Sequence, residues 1–101
     1  MPYYMQLVVL TERGRKSFEE DTEWIKNINK EIEYLGGKIH TQFALLGQYD
    51  FVNIIEAPSD EAAARLAIKL SATGSIQPLT MAALPLDKLI ENLKKDPDTP
   101  W

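Results

Sequence analysis

The run from Leu45 to Glu61 constrains the fold more tightly than any other part of the chain. It begins with Leu45-Leu46-Gly47-Gln48-Tyr49-Asp50, continues through the apolar stretch Phe51 to Glu56, and ends in Ala57-Pro58-Ser59-Asp60-Glu61. This order reads as the end of a strand, a tight turn, a second strand and a helix start. Gly47 supplies the backbone freedom of a hairpin turn or bulge, and the short carboxylate of Asp50 can accept from local amides. Ser59 is a helix cap, and the acids after it suit the positive end of a helix dipole.

The remaining elements follow from periodicity. Tyr3 to Leu10 is β-rich and predicts a first strand, ended by a turn at Thr11-Glu12-Arg13-Gly14 and followed by a short polar piece to Asp21 that is open to a helix. Trp24, Ile25, Ile28, Ile32 and Leu35 share one helical face, capped by Asp21 or Thr22 and stopped by Gly36-Gly37. That glycine pair follows a helix instead of preceding one, so it is not a phosphate cradle. Lys38 to Leu46 alternates as a second strand, and Asp50 to Glu56 is the third. The helix opened by Ser59 runs to Gly74, and Ile76 to Leu84 is a fourth strand in which Pro78 marks an edge or a bulge. Pro85 starts a last helix with Leu86, Leu89, Ile90 and Leu93 on one face, and Asp96 to Trp101 is a turn-like tail.

One domain spanning residues 1–101 results, with a core over 3–84 and a C-terminal helix and tail over 85–101. Its order, β-α-β-β-α-β plus a helix, predicts an α+β fold of the ferredoxin-like kind, an antiparallel sheet with helices on one face. Alternation places Met5, Leu7, Val9, Ile39, Thr41, Phe43, Leu45, Val52 and Ile54 towards the helices. The open face then carries Tyr4, Val8, Leu10, Phe51 and Ile55 together with Gln6, His40, Gln42, Asn53, Thr80 and Ala82. So much apolar surface is a liability on a monomer and predicts a homo-oligomer joined through that face.

Composition narrows the chemistry. The formal charge is −4, and the basic residues lie next to acids, which disfavours nucleic acid. There is no cysteine and one histidine, so thiolate sites and cysteine nucleophiles are excluded and no metal site is expected within one chain. No apolar run is long enough to cross a bilayer, and the N-terminus lacks the plan of a signal peptide, so a cytoplasmic protein without membrane association is expected.

Gly47-Gln48-Tyr49-Asp50, the apolar strand after it and Glu56-Ala57-Pro58-Ser59-Asp60-Glu61-Ala62-Ala63 resemble the GYD domain family. Leu10-Thr11-Glu12-Arg13-Gly14, Leu35-Gly36-Gly37-Lys38 and Gly74 support the likeness, which covers roughly residues 4 to 84. The resemblance implies a ferredoxin-like fold of the dimeric α/β-barrel type and brings no activity or cofactor with it. Gly47, Tyr49 and Asp50 match the hairpin motif, where shaping the turn is their simplest role. A weaker likeness, to the amino-acid-binding domain of Lrp/AsnC transcription factors, suggests a sensor without a DNA-binding helix-turn-helix.

Gln6, His40, Gln42, Asn53 and Thr80 are the candidate ligand-binding residues. A buried amide without a partner costs about 1–3 kcal/mol, so Gln42 and Asn53 each require a protein group, water or a polar ligand. His40 is the one side chain suited to acid-base work near neutral pH. Asp50 and Glu56, six apart on one strand, stand about 20 Å apart and cannot act as a carboxylate pair in one subunit. Three roles fit. The first is a binding or accessory module taking a small molecule or partner protein at the sheet-face interface. The second is a small-molecule enzyme with His40 as acid or base. The third is a self-assembling scaffold in which the extension from Pro85 to Trp101 joins units; Trp101 can equally dock on a neighbour or lie on its own domain.

Overall fold

The computed structural model describes residues 1–98, and Trp101 therefore lies outside the described residues. Four strands and four helices are found among them: β1 (Tyr3–Leu10), α1 (Glu12–Glu20), α2 (Trp24–Tyr34), β2 (Lys38–Ala44), β3 (Phe51–Glu56), α3 (Asp60–Ser71), β4 (Ile76–Ala83) and α4 (Leu86–Leu93). The fold is α+β, with one sheet in the order β2-β3-β1-β4 and every neighbouring pair antiparallel.

Local chemistry sets the element ends. Thr11 does not close a simple turn. Its hydroxyl accepts from the Gly14 amide at 3.1 Å and caps α1, so the polar piece to Glu20 is a helix in its own right. Gly14 is buried because α1 starts against the lead into β4: a Cβ there would stand 2.0 Å from the Ser75 carbonyl oxygen. Ser59 caps α3 by accepting from the Ala62 amide at 3.1 Å, with Asp60 and Glu61 in the first turn. At the start of α2 the carboxylate of Asp21 accepts from the Glu23 amide at 3.1 Å, while the cap position itself falls on Glu23. Pro78 lies in β4, an edge strand, where a residue without an N–H is tolerated.

The two faces of the sheet are exchanged relative to the sequence expectation. Tyr4, Val8, Leu10, Phe51 and Ile55 are buried in the core beneath α2 and α3, with Ile32, Ala63, Leu66 and Leu70. Gln6 and Asn53 lie in the same layer, 0% and 4% exposed. The strand register puts Thr80 beside Gln6 and Ala82 beside Tyr4, hence on this inner face as well. Met5, Leu7, Val9, Val52 and Ile54 face away from the helices. In β2 a bulge between Ile39 and Thr41 changes the face partway along. Ile39 thus stays inward opposite Ile55, whereas Thr41 and Phe43 turn outward and Gln42 and Ala44 turn in.

The reason for the exchange is that both faces are apolar. Alternation identifies a core face only when the other face is polar. Here the polar residues on one side satisfy one another and belong in the interior.

Candidate functional site

Four of the candidates, three amides and the Thr80 hydroxyl, form one row across the sheet, one residue from each strand. Gln42 Nε2 donates to Asn53 Oδ1 at 2.8 Å, Asn53 Nδ2 to Gln6 Oε1 at 3.4 Å, and Gln6 Nε2 to the Thr80 hydroxyl at 3.3 Å. At the far end, Gln42 exchanges two hydrogen bonds with Asn29 of α2, at 2.9 and 3.0 Å. Asn29 is the partner that sequence reading missed. The signal was present, because Asn29 is a polar residue four positions after Ile25, beside the apolar helix face. Among the described residues no buried side-chain nitrogen or oxygen lacks a partner. The adjoining cavity, bordered by Gln42, Asn53, Val8 and Ile28, is about 10 Å³, room for about one water. The row therefore ties the sheet to α2.

His40 stands apart from that row. The bulge in β2 carries it to the outer edge, where Nε2 lies 2.6 Å from Glu56 Oε1 and the ring meets Tyr3 edge-on at 5.4 Å. The hydrogen bond from His40 holds the Glu56 carboxyl below its ordinary pKa of 4.5, against the opposing effect of burial. Glu56, read from the sequence as a strand end, is thus the partner of His40.

The hairpin motif does structural work. Asp50 Oδ2 accepts from the Leu10 amide at 2.8 Å, and the Asp50 amide donates to the Val8 carbonyl at 2.8 Å. Both bonds clamp the hairpin onto β1. Gly47 has φ +119°, a left-handed conformation that side chains rarely adopt. Tyr49 is partly buried beside the turn. A second clamp joins β1 to α3: the Tyr4 hydroxyl donates to Asp60 Oδ1 at 2.5 Å, a bond that pushes the Tyr4 pKa up to about 12.

What the molecule leaves unfilled is apolar. The outer sheet face presents Met5, Leu7, Val9, Val52 and Ile54 in its middle, with Phe43 61% and Leu79 48% exposed on the two edge strands. At one end of the sheet, a groove of about 380 Å³ is bordered by Met1, Pro2, Tyr3, Asp60, Leu84 and Lys88. Beyond it α4 stands with no buried residue. Among the described residues there is no cluster of three metal-ligating side chains, and no helix is long and apolar enough to cross a membrane.

These features define a small α+β protein with a filled interior and an uncovered apolar sheet face. The GYD domain family matches over residues 4–93, and the chain belongs to that family. The match extends past the expected limit at residue 84 to include α4. The chain is also similar to a Thermus thermophilus protein described as a glutamine synthetase and cystathionine beta-lyase binding protein. The two are 38% identical over 95 residues, covering 93% of this chain and all of that protein.

Proposed function

We propose that this chain is a protein-binding accessory module, self-associated through its outer sheet face, that engages metabolic enzymes. The observation that carries the reading is the contrast between the two faces. The polar row of Gln42, Asn53, Gln6 and Thr80 is consumed by its own hydrogen bonds, while among the described residues the apolar outer face stays partly exposed. Contiguous apolar surface of that kind marks protein contact.

The strand order supports a ferredoxin-like arrangement, and pairing two outer faces gives an assembly of the dimeric α/β-barrel type. The kind of partner is suggested by the Thermus thermophilus relative, whose description names two enzymes that it binds. Sedimentation velocity of the chain mixed with glutamine synthetase, and separately with cystathionine beta-lyase, from its own source organism tests the enzyme partner. Co-sedimentation with either enzyme is expected. Independent migration with both would remove metabolic enzymes of these two kinds from the reading and leave self-association standing.

A further inference from the structure

α4 is an element with the sequence of a packed helix and no packing. Leu86, Leu89, Ile90 and Leu93 fall at the spacings of one helical face, yet they are 68%, 44%, 39% and 73% exposed. Leu84, just before the helix, is 75% exposed. A helix of eight residues with this composition has little stability alone, because short isolated helices are marginal in water. Its apolar edge calls for a covering surface. The molecule measures 57 × 27 × 18 Å, and its radius of gyration of 16.0 Å exceeds the ~13 Å usual for a compact chain of 100 residues. An arm that does not fold back on its own body accounts for an excess of that kind.

The position of α4 selects what covers it. The helix follows β4, an edge strand whose outer face carries Leu79 and Met81, and the exposed Leu84 lies between the two elements. At its root lies the groove bordered by Met1, Pro2, Tyr3 and Leu84. Protrusion and hollow are therefore adjacent on one patch. A two-fold axis through such a patch places each protrusion against the other copy's hollow, the self-complementarity that an isologous interface requires.

We propose that α4 is an exchange arm: its apolar edge packs into the groove at the root of α4 on a second copy of this chain. The inference rests on self-association through the sheet face and adds a second contact to it.

The test uses the full chain in two ways. Sedimentation equilibrium of the double variant Leu89→Asp/Ile90→Asp should show self-association weakened at least 100-fold, with far-ultraviolet circular dichroism and thermal unfolding at matched monomer concentration preserved. α4 has no buried residue in the monomer, so these substitutions do not touch the core. In parallel, a photo-activated benzoylphenylalanine placed at Leu89 is irradiated in a mixture of isotopically light and heavy protein. Light-to-heavy crosslinks reaching Met1, Pro2 or Tyr3 are the expected product. A wild-type oligomer whose affinity is unchanged in the double variant would overturn the exchange arm alone. Crosslinks confined to single chains, or formed only when an added enzyme is present, would do the same and assign α4 to its own body or to a foreign partner. A monomeric wild-type protein would overturn the sheet-face reading and the arm with it.

Discussion

At the scale of single residues, the contacts that matter most are those where one atom decides the fit. Gly14 is the sharpest case. The 2.0 Å approach of a Cβ to the Ser75 carbonyl would be to backbone, which cannot swing aside. Gly14→Ala should therefore destabilise the fold by about 1–3 kcal/mol or more in urea unfolding, the range of overpacked sites. Wild-type stability in that variant would mean that α1 does not lie on the β4 lead-in as described. Tyr4 supplies a pH signature. Its folded pKa is raised to about 12 from 10.0, first through the hydrogen bond to Asp60. Stability from the neutral phenol is present below the unfolded value and is lost as pH rises from 10 towards 12. Urea unfolding across that range should show the decline in the wild type, with Tyr4→Phe lacking this component. Equal slopes in the two proteins would contradict the clamp. Neither residue stood out in the sequence as anything but a turn glycine and a strand tyrosine, because both roles depend on partners more than 50 positions away.

At the scale of elements, the strands and three of the helices were legible, because most of their ends are marked by local chemistry. Ser59 capping α3, Gly47 turning between β2 and β3, and Pro78 in an edge strand act within a few residues of themselves. The choice of face was not legible. Met5, Leu7 and Val9 are as apolar as Tyr4, Val8 and Leu10, so the usual polar-outside rule fell to Gln6 and Asn53. Those amides share a face, as alternation implies, but it is the inner one, where Asn29 and Thr80 complete the row. A bulge at His40, which separates Thr41 and Phe43 from Ile39, has no marker in the sequence at all. The row can be tested as a unit. Asn53→Leu leaves the Gln42 amide and the Gln6 carbonyl each short of a partner, and should lower stability by about 1–3 kcal/mol. If thermal unfolding of that variant is unchanged or improved, the amides are not a satisfied buried network.

At the scale of the whole molecule, the outcome is a thin sheet with one covered and one bare side. A chain of 101 residues has a limited core, and placing a second apolar layer on the outside is a way of making stability depend on association. The same arrangement explains why the sequence resisted a functional reading. Its chemistry-bearing residues His40 and Glu56 are occupied with each other, while in the proposed function recognition falls to leucines, valines and isoleucines that look like ordinary core. The central claim is that the outer sheet face is a protein-contact surface. Sedimentation equilibrium of the wild type and of Ile54→Glu, which puts a charge in the middle of that face, tests it most directly. The account predicts a dimer or larger assembly for the wild type and a folded monomer for the variant. A wild-type monomer at all concentrations, or an assembly indifferent to the glutamate, would contradict it.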